Sequence, residues 1–376
     1  MLQTISDWFW WDRLWLPNNY TWADLADDDG FVSVKPSQLY ISVLYAFIFV
    51  IIRHVFERYV ATPIAGAMGI KNKVRMKASP NPLLERFFNS ACKHPSQLEV
   101  YGLAKKCNLT AVQVERWFRK RRNQERPILL KKFQESCWRF TFYLLALIGG
   151  VAVLYDKPWS YKIKHVWDGY PKQSVLTSQY WYYVLELSFY WSLLFSVASD
   201  VRRKDFKIQL VHHFSTVFLL VFSWCVNYVR VGTLTLLVHD ASDFLLEAAK
   251  MSNYARWKRS CDVLFLVFAL VFTITRLIIF PFWIIYATVV YPLDICTPFF
   301  LYYFFNMIMF TLQLLHIYWS CLIFRMMKKV FSGNMSGDDR SDKEEDDLSE
   351  EEDEEPCLKN GSGANMCRIV NGQHDR

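Results

Sequence analysis

Residues 200–250 read DVRRKDFKIQLVHHFSTVFLLVFSWCVNYVRVGTLTLLVHDASDFLLEAAK. Two apolar runs flank the short NYVRV connector, the pattern of a helical hairpin in lipid. The first run nevertheless holds His212 and His213, and the second holds His239, Asp240, Asp243 and Glu247. An acid at the centre of a membrane helix costs about 2.5–3.5 kcal/mol on insertion scales. Such residues mark a functional site within the membrane by default. The competing reading is a polar cluster that only joins two helices, and six ionisable side chains on neighbouring helices weigh against it.

The spacing within the hairpin sets out a candidate geometry. Asp240, Asp243 and Glu247 follow i, i+3, i+7 and share one helical face. With the turn centred near Val229, His213 mirrors roughly position 245 and His212 roughly position 246. Asp240 and His239 then lie about one turn further from the histidine end. With the helix starting near Phe206, a rise of about 1.5 Å per residue puts the histidines about 9 Å inside the membrane. A carboxylate there is expected to orient an imidazole. Glu247 and Lys250 sit nearest the edge, so Glu247 ranks with His239 behind His212, His213, Asp240 and Asp243.

Outward from the hairpin, the 376 residues are 53% hydrophobic and 17% aromatic, gathered in long apolar runs between basic connectors. The pattern predicts an all-α polytopic membrane protein of about seven transmembrane helices: 39–56, 138–155, 180–198, 208–228, 232–249, 263–289 and 299–324. Arg276 and Pro281 interrupt the sixth, where a kink is expected. Residues 57–137 hold 17 Lys and Arg against 6 acids. The connectors 199–207 and 250–262 and the end of the last span are also basic. Seven crossings put all four groups on one side, which predicts a luminal N-terminus and a cytosolic C-terminus. The mildly basic stretch 156–179 falls on the other side.

Residues 1–38 carry Trp8, Trp10, Trp11, Trp15 and Trp22 with an acidic loop, and read as a luminal interfacial segment. Asn19-Tyr20-Thr21 is a glycosylation sequon there. No basic leader of a cleavable signal peptide is evident. The tail, 331–376, holds DDRSDKEEDDLSEEEDEE and reads as disordered, with Ser341 and Ser349 placed ahead of acids as acid-directed kinases prefer.

Residues 70–127 form a small basic insert. Leu83 to Phe88, Leu98 to Ala104 and Leu109 to Arg122 predict three helices, the last capped by Thr110. The run VERWFRKRR at 114–122 resembles the third helix of a homeodomain. Lys120 stands where the adenine-reading asparagine belongs, and a lysine cannot make that bidentate contact. An accessory cytosolic domain, near lipid headgroups, is the favoured reading, and nucleic acid is not an expected partner.

Nothing resembles a P-loop, a GxSxG elbow or a GxGxxG turn. Nine cysteines show no CxxC pair, so no disulfide framework or structural zinc is suggested. Of eight histidines, His54, His94, His165, His316 and His374 are scattered, which leaves a di-metal site as a minor reading, and no metal is assigned. The chemistry is expected to need no ATP, nicotinamide or other cofactor and to draw on an activated substrate.

With RRKDF, then HH, then HDxSD and LLEAAK, the stretch 200–250 resembles the Lag motif of the ceramide synthases, inside a TLC-type membrane domain spanning 132–330. The YGLAKKCNLT stretch and the CLKNG and NGQH tail pieces point to the family's type 3 vertebrate branch. The resemblance implies an endoplasmic reticulum enzyme that transfers an acyl group from acyl-CoA, its co-substrate, to the amine of sphinganine or sphingosine. It also implies homo- or heterodimers and very-long to ultra-long chains. Chain length is then influenced by the loop Tyr291, Pro292, Leu293, Asp294, Ile295, Cys296, Thr297, Pro298, Phe299, Phe300 and Leu301. Arg202, Arg203, Lys204 and Lys207 are placed to meet the CoA phosphates. His212 acts as nucleophile or as base, with His213 assisting and Asp240 and Asp243 stabilising imidazolium. The alternative is a non-catalytic lipid sensor or carrier on the same fold.

Overall fold

The computed structural model describes residues 2–26, 34–70, 77–90, 92–125, 129–201, 203 and 205–332. They are all-helical, with no strand among them. Helices α1 (Leu2–Phe9) and α2 (Asp12–Trp15) precede the first long helix, α3 (Tyr40–Phe56), which continues through a π-helical turn, Glu57–Ala61, into Thr62–Ala67. Three short helices follow: α4 (Pro82–Ser90), α5 (Gln97–Cys107) and α6 (Ala111–Glu125). The remaining long helices are α7 (Leu129–Leu154), α8 (Thr177–Phe195), α9 (Phe206–Cys225), α10 (Val229–Tyr254), α11 (Lys258–Phe272) and α12 (Phe300–Phe331). Ser341 and Ser349 lie outside the described residues.

Five stretches are long and apolar enough to cross a membrane: Pro36–Ala67, Leu129–Leu154, Phe206–Cys225, Lys258–Asp294 and Phe300–Phe331. This is a polytopic membrane protein. The other two expected spans are the helices α8 and α10, and their shortfall in apolarity has a physical reason. Helix α10 packs against α7, α8, α9, α11 and the segment after α11, while α8 packs against α3, α7 and α9. A helix lined by other helices need not be apolar all round. Gly232 permits the close approach of α8 to α10, because a Cβ there would lie 1.4 Å from the Tyr183 hydroxyl oxygen.

The expected interruption of the sixth span takes the form of a π-helix. Thr273–Ile285 runs in that form directly on from α11 and passes into Tyr286–Val289. Pro281, which has no N–H to give an α-helical ladder, sits inside this segment.

The insert folds on its own small core of Leu84, Phe88, Val100, Leu103, Val114, Trp117 and Phe118. The expected cap is present: Thr110 Oγ1 accepts from the Gln113 amide at 3.2 Å, and Gln113 Oε1 accepts from the Thr110 amide at 2.9 Å. Arg121 pairs with Glu85 at 2.8 Å. That donation holds the Glu85 carboxyl below its ordinary range.

The tryptophans of the N-terminal segment divide. Trp15 is buried and stacks on Phe222 of α9 at 5.0 Å, whereas Trp8 and Trp11 stay exposed. Asn18 Nδ2 donates to Thr297 Oγ1 at 2.7 Å. The exposed Asn19 beside it adopts a left-handed conformation, φ 80°.

Candidate active site

The α9–α10 hairpin turns at Asn227, which is left-handed (φ 63°) and donates to the carbonyls of Pro171 (2.9 Å) and Gln173 (2.6 Å). A turn centred there rather than at Val229 moves the level facing His212 by about one helical turn. The ring of His212 lies 6.3 Å from His239, about one further turn along α10 beyond that level. The mirror arithmetic of the sequence therefore needs correcting at its origin.

His316, which the sequence left among scattered histidines, belongs to the cluster. It lies on α12 with its ring 4.9 Å from His239 and 6.5 Å from His212, and His213 lies 5.7 Å from His212. All four are buried. Phe280 packs against His239 and His316, and Trp319 stands edge-on to His212 at 5.4 Å. His239 Nδ1 lies 2.6 Å from the Thr235 carbonyl, which can only accept, so Nδ1 carries the hydrogen. In a neutral ring Nε2 is then the acceptor; His316 Nε2 lies 3.1 Å from it and 3.4 Å from Arg276 Nη1. The Nδ1 atoms of His212 and His213 are buried without a hydrogen-bond partner among the described residues.

The acids of α10 share a stripe but serve different neighbours. Asp243 accepts from Arg276 Nη2 at 2.6 Å, and the same nitrogen donates to the His239 carbonyl at 2.8 Å. Asp240 accepts from the Tyr182 hydroxyl at 3.3 Å and lies near the carboxyl of Glu186 on α8. Glu247 pairs with Lys250 at 2.5 Å. Among the described residues no aspartate bonds directly to His212 or His213; Asp243 reaches the histidine cluster through Arg276. Arg276 has no counterpart in the expected site. Its signal was an ionisable residue inside an apolar run, the same signal that singled out the hairpin. Glu186, in YYVLELSFYW, carried that signal too.

An apolar cavity starts beside the cluster, at His239, Tyr190 and Thr216. It follows α9, α10 and α12 past Leu219, Leu236, Met309 and Leu312 to Tyr228, Thr288 and Phe305. Tyr228 is held there by edge contacts with Trp167 at 5.0 Å and Tyr170 at 5.3 Å. Trp167 in turn donates to the Ala287 carbonyl at 2.8 Å, just ahead of the loop Tyr291–Leu301.

A TLC domain model (TRAM, LAG1 and CLN8 proteins) matches residues 132–325, and a homeodomain model matches 71–127. The chain is 53% identical over 382 residues to ceramide synthase 3 of Homo sapiens, with both chains covered in full. It is 47% identical over 377 residues to ceramide synthase 4 of Mus musculus, covering 99% of this chain and 96% of that one.

The chain belongs to the ceramide synthase family.

In this ceramide synthase the histidines, Asp243, Arg276 and the mouth of the cavity form one site within the bundle. Glu247 lies apart from it, beside Lys250. Of the residues expected to meet CoA, Arg203 donates to the Tyr254 hydroxyl at 3.2 Å and Lys207 is exposed. Arg202 and Lys204 lie outside the described residues.

Proposed function

We propose that this ceramide synthase, a sphingosine N-acyltransferase, works at the His212 cluster and takes very-long to ultra-long acyl chains. The observation that carries the reading is the buried histidine cluster at one end of an apolar cavity. A thioester is already activated, so the protein must supply orientation, a proton acceptor and a dry slot for the chain. The cavity suits the acyl chain with its carbonyl near His212 and its tail toward Tyr228. The loop Tyr291–Leu301, beyond that far end, is placed to influence where the chain stops.

Two routes use the same atoms. In one, the amine attacks the thioester carbonyl while a ring nitrogen of His212 takes the amine proton and passes it to the departing thiolate. In the other, His212 attacks first, the C–S bond breaks and free CoA leaves as thiol. The amine then displaces the imidazole from the acyl group, giving the amide and restoring the ring. His213 adjoins His212 on either route, and Arg276, neutralised by Asp243, sets a fixed charge beside His239 and His316. Asp240, with Tyr182 and Glu186, braces α10 against α8. The head of CoA meets the basic end of the bundle at Arg202, Arg203, Lys204 and Lys207. That end faces the cytosol from the endoplasmic reticulum membrane, and Asn19 and the N-terminal segment face the lumen.

The test is expression in cells lacking endogenous activity, with sphinganine and acyl-CoAs of graded length, beside His212→Ala. Dihydroceramide from the parent alone supports the reading; none from the parent ends it. Trapping an acyl group on His212 with acyl-CoA alone selects the two-step route, and strictly sequential kinetics without an adduct select the other.

A further inference from the structure

The most heavily ion-paired buried cluster among the described residues lies at the basic end of the bundle. Arg53 of α3 is 8% exposed. Its Nη2 contacts Asp200 Oδ1 at 2.7 Å, and its Nε contacts Glu57 Oε1 at 2.7 Å. Arg139 of α7 holds the other Asp200 oxygen at 2.9 Å. Glu135, one turn before Arg139, accepts from the Val201 amide at 3.1 Å, and Lys131 donates to the Ser199 carbonyl at 2.5 Å. Three consecutive residues, 199 to 201, are thus gripped by side chains from two helices. The π turn Glu57–Ala61 supports the grip, for Gln134 donates to the Glu57 carbonyl at 3.3 Å and to Thr62 Oγ1 at 2.8 Å.

A buried ion pair is a poor way to gain stability, since desolvation offsets most of the attraction. It is a good way to fix a geometry. The geometry fixed here is the start of the connector that leads through Arg203 to Lys207. Arg53, moreover, lies outside the matched TLC region, on a helix that contributes nothing to the histidine cluster.

We propose that Arg53 is a positioning residue for the phosphate-bearing head of acyl-CoA, acting through Asp200 on the basic connector. This rests on the proposed placement of CoA at that connector. Holding residues 199–201 in place spares part of the cost of ordering the approach to Arg203 and Lys207 when the phosphates bind. The effect of Arg53 is expected on the CoA head first, because α3 contributes no side chain to the histidine cluster or to the cavity lining.

The test uses the full chain in membranes, with acyl-CoA and with the matching acyl-N-acetylcysteamine thioester, which has the same acyl group and no phosphates. Arg53→Gln is expected to raise KM for acyl-CoA about 10- to 100-fold, the range of a lost charge-assisted hydrogen bond. Its kcat, and its rate with the truncated thioester, should stay near those of the parent. Asp200→Asn should raise KM for acyl-CoA likewise, and the double variant should add little more to that KM. Should the parent not use the truncated thioester, inhibition by free CoA carries the reading, weakened in Arg53→Gln by the same factor as KM. If Arg53→Gln fails to accumulate, Arg53→Lys, which keeps the charge and loses the fork, takes its place. Equal losses with both thioesters, or an unchanged KM, would overturn the inference. A parent that makes no amide from acyl-CoA would instead bring down the proposed function.

Discussion

Two arginine-bearing regions of this molecule put the same side chain to opposite uses. In the three-helix insert, Arg121 pairs with Glu85 at a half-exposed surface, and Arg122 caps the Lys93 carbonyl at 3.0 Å. In the bundle, Arg276 is 3% exposed and meets Asp243 at 2.6 Å. Water screens the first kind of pair and makes it nearly dispensable. The second kind has no such substitute, and losing one partner strands a charge. Charge density along the sequence marks the insert as the basic region. The arginines that hold the site in place are the isolated ones in apolar surroundings.

The largest effect that sharpens this contrast comes from the chemistry. His212→Ala should lower kcat by about 10²–10⁴-fold if the ring is only a base, and by more if it carries the acyl group. Measuring kcat with saturating acyl-CoA separates the two. Next comes Asp243→Ala, which leaves Arg276 buried and unpaired and should cost about 3–5 kcal/mol. Thermal unfolding in a fixed detergent reads it, and an unshifted midpoint would mean that water or lipid headgroup replaces the partner. Gly232→Ala forces the Tyr183 hydroxyl out of its place and should cost about 1–3 kcal/mol, or more if α8 must move. The smallest effect belongs to the insert. Glu85 has its carboxyl held below the ordinary range by Arg121, so its contribution is full at neutral pH and is lost as pH falls through that lowered value. Protection of α6 amides, corrected for the intrinsic exchange rate, should therefore fall on acidification, and Glu85→Gln should remove that dependence by setting protection at neutral pH near the parent's acid level. An Asp243→Ala effect as slight as that of Glu85→Gln would dissolve the comparison.

Much of this was legible in the sequence, and unevenly. Apolar runs placed the long helices, because lipid and helix length leave few alternatives. The third span, expected at 180–198, is the helix Thr177–Phe195, since Ser and Tyr at a helix start blur a hydropathy edge. His212, His213 and His239 stood out because the hairpin makes them neighbours along the chain. His316 and Arg276 did not, since they come from α12 and the π-helical segment, and only tertiary packing brings them within reach of His239. The i, i+3, i+7 stripe of acids was right as periodicity but silent about partners. Asp240 turns to α8 and Asp243 to Arg276, a divergence that depends on which helices flank α10.

The π-helical stretch Thr273–Ile285 has one more consequence. A wider helix turns less per residue than an α-helix, so the stretch works as a phase adjuster between Arg276 and the loop at Tyr291. Deleting one residue would let one turn of the ladder close in α-helical register with little rotation of what lies beyond it. Lengthening or shortening the neighbouring loop could be absorbed in the same place without moving α12. Related chains that differ in this loop would then vary in the number of residues here, and the histidine cluster would keep its geometry while the far end of the cavity changed shape.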